Sequence, residues 1–275
     1  MAHPEHQAFV AHYRVEPGRS VDLASVDPRD VSNLPEEETA RAQVKDDARI
    51  IDVLQDRLYA EGRRALLVIL QGTDTSGKDG TIRSVFGATG PLGVSVHAFR
   101  GPSEEELAHD YLWRVHQACP KRGTIGIFNR SHYEDVLVVK VRGYAPAEAV
   151  EQRYEQINAF ERMLAENGTT VLKFMLHISK EQQAKRLQER LDDPAKNWKF
   201  NPGDLEDRAH WDEFQAAYET LLRRCSTPWA PWHVIPADRK WARNAAIARI
   251  VRATLEDMDP QYPKATFAPG TYKVV

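Results

Sequence analysis

The run Leu66–Leu70 has no polar residue, and it feeds directly into a glycine-rich loop: "LLVILQGTDTSGKDG", Leu66 to Gly80. A strand that does not alternate apolar with polar must be buried on both faces, as in a parallel sheet covered by helices. The rest of the chain repeats that pattern. Strand-length apolar runs at Val94–Phe99, Thr124–Phe128, Val171–Ile178 and His233–Ile235 alternate with helical patterns near 78–88, 104–118, 147–166, 180–192, 204–224 and 239–257. Val150, Tyr154, Ile157 and Leu164 recur at helical spacing. Ser103 with Glu106, and Ser179 with Gln182, have the spacing of capping boxes. The pattern predicts an α/β fold with a parallel sheet and helices on both faces, whose ligands sit at the carboxyl ends of strands. Gly72–Gly80 falls there, and so does "NRSHYED" after the third run.

Before the first strand, Val44, Ile51, Leu54 and Leu58 mark one face of a helix expected from Pro35 to Arg64 and stopped by Gly62. Residues 1–33 are polar and broken by Pro4, Pro17 and Pro28, so an extended arm is expected there. Residues 34–275 are expected to form a single domain, near the upper size for one core. A net charge of −3 gives no global field for nucleic acid or membrane, so any anion site must be local. Cys119 and Cys225 are the only cysteines; they make no disulfide framework and no metal-ligand spacing, and a reducing cytoplasm is expected. The longest strongly apolar run, Ala65–Leu70, is too short to cross a bilayer.

Gly72, Gly77 and Lys78 satisfy the phosphate-loop spacing G-x-x-x-x-G-K between a strand and a helix. Backbone N–H groups of Thr75, Ser76, Gly77, Lys78, Asp79 and Gly80, with the helix N-terminus, are expected to cradle phosphate oxygens, and Lys78 to supply an ammonium. The hydroxyl residue that normally follows the lysine and holds Mg²⁺ is replaced by Asp79, and Asp74 lies inside the loop. Asp74 is a hard oxygen ligand that can hold the metal instead. Asp79 reads equally as a reacting group or as an acidic residue in a first helical turn.

The third run leads into "IFNRSHYEDVLVVKV". Asn129 stands where an Asp commonly completes the metal site; Glu134 and Asp135 follow. Arg130 is positioned to neutralise a transferring phosphoryl group.

Together with "PSEEELAHDYLWRVH", "ERLDDPAKNWKFNPGDLEDRAHWDEF" and "TPWAPWHVIPADRKWARN", these blocks resemble the polyphosphate kinase 2 family from about Tyr13 to the C-terminus. The resemblance implies a thymidylate-kinase-like P-loop fold with a helical lid at about 180–210, assembled as a homo-oligomer, dimer or tetramer. It implies phosphoryl transfer, dependent on Mg²⁺ or Mn²⁺, between inorganic polyphosphate and purine nucleotides, with no nucleic acid or membrane partner. Carried over, Asp74 and Lys78 match the family's loop carboxylate and lysine, and Arg130 the arginine of its second motif. Asn129 and Glu134 resemble the class III subgroup, which phosphorylates nucleoside mono- and diphosphates. The lost Asp leaves the metal shell open, with Asp74 and Asp135 as its candidates. In the lid, Lys185, Arg186, Arg190 and Lys199 are the candidate polyphosphate contacts, Arg186 and Arg190 lying four apart on one helix.

Residues 185–208 nevertheless hold six Lys/Arg and six Asp/Glu, so a solvated charged helix reads equally well from composition. His109, His116, Trp113, Trp211 and Trp241 read as packing residues; Arg114 and Asp238–Lys240 are secondary candidates for positioning the nucleotide. An ATP-dependent nucleoside or nucleotide kinase and a non-catalytic nucleotide-binding module share these features. A GTPase does not, because no N-K-x-D segment occurs.

Overall fold

The structure, a computed structural model, describes residues 4–268 and 270–274. The chain opens with α1 (Pro4–Tyr13) and α2 (Glu37–Glu61), then runs β1 (Ala65–Gln71), α3 (Lys78–Phe86), β2 (Val94–Ala98), α4 (Glu104–Leu107), α5 (Trp113–Ala118) and β3 (Ile125–Asn129). It continues through α6 (Val138–Val141), α7 (Ala147–Glu166), β4 (Thr169–His177), α8 (Lys180–Asp192), α9 (Gly203–Ala209), α10 (Trp211–Cys225), β5 (Trp232–Pro236) and α11 (Lys240–Met258). Among the described residues the strands form one parallel sheet in the order β2-β3-β1-β4-β5.

β1 is central, with Val68 paired to Ile127 on one side and Leu172 on the other. Every β1 residue is buried, as an uninterrupted apolar strand requires. Leu66, Val68 and Leu70 pack against α1, α2, α3 and α11, while Leu67 and Ile69 face α7 and α10. The loops after β1 and β3 therefore emerge side by side at the carboxyl edge of the sheet.

Four local expectations change. The predicted extended arm begins instead as α1, whose Phe9 and Tyr13 are buried in the core. Beyond it, Arg14 bridges antiparallel to His233, and the Val15 N–H donates to the Trp232 carbonyl at 2.8 Å, covering part of the β5 edge. The helix expected over 104–118 breaks into α4 and α5, because Asp110 turns the chain by accepting the Leu112 N–H at 3.0 Å. The helix expected over 204–224 is interrupted at His210, which leaves helical geometry at ψ 28°. After β3, residues His132–Val136 form a 3₁₀ turn leading into α6, where no helix was expected.

The Ser103–Glu106 capping box forms in full. Ser179 caps α8 through the Gln182 N–H at 3.1 Å, but its own N–H goes to Asp238 rather than to Gln182. No described helix is long and apolar enough to cross a membrane.

Candidate active site

The loop after β1 needs glycine where backbone meets backbone. Gly72 has φ +151°, and a Cβ there would meet the Leu176 carbonyl at 2.8 Å. Gly77 has φ +105° and no room for a Cβ beside the Arg243 guanidinium. Thr75 is left-handed as well, at φ +63°. Lys78 opens α3 and folds back, its Nζ donating to the Gly72 carbonyl at 2.7 Å and the Thr73 carbonyl at 3.3 Å. Burial first, then the Arg130 charge, pushes its pKa down to about 8; Asp74, Glu134 and Asp79 pull it the other way. One expected donor is already engaged, since the Ser76 N–H goes to the Thr73 carbonyl at 3.1 Å.

Arg130 leaves β3 at φ +63° and swings back over the loop. It forms an ion pair with Asp74 and another with Glu134 Oε2 at 2.9 Å, and these neighbours, Glu134 foremost, raise its pKa. The second oxygen of Glu134 accepts from Gln71 Nε2 at 2.9 Å. Both Glu134 oxygens are thus held, whereas Asp74 is held through one. Asn129 Nδ2 donates to Asp79 Oδ1 at 2.7 Å, fastening the first turn of α3 to the end of β3.

Other candidates have partners of their own, although Asp135, Arg186 and Arg190 line the same cleft. Asp135 is buried and bound to Arg153 Nη1 at 3.2 Å, and burial raises its pKa. Among the described residues, no cluster of three or more His, Cys, Asp or Glu is arranged to hold a metal. Arg186 is buried with its guanidinium on main-chain carbonyls, and Lys185 is exposed outside the cleft lining. Arg190 is paired with Asp204 at 3.0 Å. Lys199 does line the cleft, beside Trp198, which is 78% exposed. His109 stacks on Trp113 at 4.1 Å between ring centroids, and Trp211 and Trp241 pack against the core.

The phosphate loop and the residues after β3 line a cleft of about 1340 Å³. Asp74, Lys78, Arg130 and Glu134 form its charged floor; Arg114, Arg190, Lys196 and Lys199 bring cations to its walls. The floor balances two carboxylates against two cations, an arrangement that incoming anions and cations can rearrange without leaving a lone charge.

Several contributors escaped sequence reading. Gln71, a polar residue ending an apolar strand, orients Glu134. Tyr218 of α10 is buried under the loop near Gly72. Glu161 and Lys173 form a fully buried pair, at 2.6 Å, that holds Tyr133 and His132 of the second motif. A lone Lys in the run "TTVLKFMLH" was the available signal.

The family model described as "Polyphosphate kinase 2 (PPK2)" matches residues 34–263. An AMP/ADP-polyphosphate phosphotransferase of Meiothermus ruber is 52% identical over 92% of this chain and 95% of its own. An ADP-polyphosphate phosphotransferase of Rhodopseudomonas palustris is 42% identical, with 92% of each chain covered. The crystal structure of polyphosphate kinase 2 from Arthrobacter aurescens TC1 superposes with a TM-score of 0.91 at 42% identity, covering 94% of this chain and 93% of that one. With its parallel sheet, its P-loop and these matches along nearly its whole length, the chain belongs to the polyphosphate kinase 2 family.

Proposed function

We propose that this enzyme transfers the terminal phosphoryl group of inorganic polyphosphate to AMP and ADP. The observation that carries the reading is the charged floor, where Lys78, Arg130, Asp74 and Glu134 meet at the base of a cleft of about 1340 Å³. Two polyanions must meet head to head there, so their repulsion is the main obstacle. The acceptor is a phosphate oxygen already largely ionised near neutral pH, its second pKa being about 6, so no strong general base is needed. The high identity to the Meiothermus ruber phosphotransferase, named for both AMP and ADP, supports both acceptors.

Lys78 meets the phosphate chain at the loop and regains full charge when it does. Arg130 exchanges Asp74 for oxygens of the transferring group and offsets its charge in the transition state. Glu134, held by Gln71, keeps Arg130 aimed at the cleft. Mg²⁺, when bound, would supply positive charge against the repelling phosphates, with Asp74 to hold it. Asp74 fits it: Mg²⁺ needs only one or two protein carboxylates beside phosphates and water, and Asp74 has an oxygen outside its Arg130 contact. Asp79, tied to Asn129, is a second carboxylate carried by the loop and its helix. Residues 180–210 act as the lid that excludes water over the cleft.

The test is purified protein with Mg²⁺, polyphosphate as sole donor, and AMP or ADP, read by chromatography of nucleotides. ADP and ATP are the expected products. Turnover with ATP as donor and none with polyphosphate would establish a nucleotide kinase instead.

A further inference from the structure

Arg243 of α11 and Arg186 of α8 meet against the phosphate loop, and among the described residues neither is ion-paired with a carboxylate. Their residues are 2% and 5% exposed. Arg243 Nη1 donates to the Ser76 carbonyl at 3.0 Å. Arg186 Nη1 donates to the Thr75 carbonyl at 2.9 Å and the Ser76 carbonyl at 3.3 Å. The other contacts of Arg243 go to the Asn244 amide oxygen, at 2.9 and 3.1 Å. Arg186 Nη2 is held by the carbonyls of Ala237 and Asp238, at 2.8 and 2.7 Å. The acidic groups nearest Arg186 are Asp238 and Glu189. Asp238 is already engaged by Ser179 and Arg29. The charged neighbour that acts on Arg243 is Arg186, and burial with that like charge pushes its pKa down to about 9.

A buried cation without a counter-ion is costly, and two side by side are more so. Their bonds reach loop carbonyls, which partly compensate them but carry no net charge. The geometry does a second thing. A peptide unit is planar and trans, so a carbonyl held one way aims the next N–H the other way. Two guanidiniums on the Ser76 carbonyl therefore fix the direction of the Gly77 N–H. Gly77 leaves no room for a side chain beside Arg243.

We propose that Arg243 and Arg186 are positioning residues for the phosphate donor: they hold the loop carbonyls away from the cleft and add, through the loop, positive charge that a bound phosphate chain compensates. This rests on the polyphosphate reading of the same loop. Of the two effects, charge is the larger.

The experiment measures tripolyphosphate binding by calorimetry, with Mg²⁺, to the wild type and to Arg243→Lys, Arg243→Gln and Arg243→Met, each checked for folding by circular dichroism. Arg243→Gln and Arg243→Met are expected to weaken binding about tenfold, the scale of one charge–charge contact. Arg243→Lys is expected to recover most of it. In turnover, the loss is expected in KM for polyphosphate, with little change in kcat at saturating donor. Equal affinity in Arg243→Met and the wild type overturns the inference while leaving the site reading intact; Arg243→Gln binding as well as Arg243→Lys overturns the role of charge. Failure of the wild type to bind tripolyphosphate overturns the site reading itself. If the Arg243 variants do not fold, Arg186→Gln answers the same question, and unchanged affinity there overturns the inference equally.

Discussion

Replacing Lys173 by Met tests how the second motif is held. Lys173 lies in β4 with no exposure, and its Nζ donates to Glu161 at 2.6 Å, to the Cys225 carbonyl at 2.7 Å and to the Tyr133 hydroxyl at 2.8 Å. Glu161 is equally buried and also accepts from the Tyr133 hydroxyl, at 2.8 Å, and contacts His132 at 3.1 Å. Met nearly matches the apolar stem, so little packing is lost; what is lost is the charge that compensates Glu161. Removing one partner of a buried pair costs about 3–5 kcal/mol, because the other charge stays behind. Burial tends to raise the Glu161 pKa, but Lys173 and His132 outweigh it and hold it below the usual glutamate value. The ionised Glu161 of the wild type therefore adds stability above the unfolded glutamate pKa, and that stability is lost as pH falls through the lower folded value. In Lys173→Met the Glu161 pKa should instead rise above the unfolded value, so the penalty should be full at neutral pH and ease as pH falls through the raised value. Urea unfolding at pH 7 gives the magnitude, and the double variant Lys173→Met with Glu161→Leu should recover more than half of it. A loss below about 1 kcal/mol would refute the reasoning, since an uncompensated buried carboxylate cannot cost so little. His132 and Tyr133 sit between Arg130 and Glu134 in sequence, so a folded Lys173→Met should also lose turnover.

Three further outcomes follow from the site. Because the Lys78 pKa is pushed down to about 8, kcat/KM for polyphosphate should fall as pH rises through about 8, and a pH–rate profile of the free-enzyme parameter reads it. Gly77→Ala forces a side chain into φ +105° against Arg243 and should cost about 1–3 kcal/mol in thermal or urea unfolding, with loss of tripolyphosphate binding. Burial first, then Asp74, raises the Asp204 pKa to about 6; its ionised form therefore works against folding as pH rises through about 6. Asp204→Asn should stabilise the protein at pH 7 by no more than about 1 kcal/mol, solvent screening allowed for, and the gain should vanish below about pH 4.

The sheet was legible because its strands are buried on both faces and their apolar runs need no alternation to be seen. Helix continuity was not, because single polar side chains decide it: Asp110 turns the chain between α4 and α5, and His210 interrupts the helix after Ala209. α1 was missed because Phe9 and Tyr13 are its main buried anchors in an otherwise polar stretch with Pro4 at its head. At the site, G-x-x-x-x-G-K and Arg130 were readable since their spacing is local. The environment of Arg186 was not. A basic residue on a charged amphipathic helix reads as solvent-facing, and its actual partners, Thr75, Ala237 and Asp238, lie in two loops remote in sequence. Asn129 could be seen to depart from the usual Asp, but that it donates to Asp79 depends on the register of β3 against β1.

In the proposed mechanism, incoming anions displace the internal Arg130–Asp74 ion pair. A crystal structure with AMP, a non-transferring polyphosphate analogue and Mg²⁺ tests it most directly. The predicted result has phosphate oxygens on Lys78, Arg130 moved from Asp74 onto the phosphates, and the metal at Asp74. An intact Arg130–Asp74 pair with the phosphates bound elsewhere would contradict it.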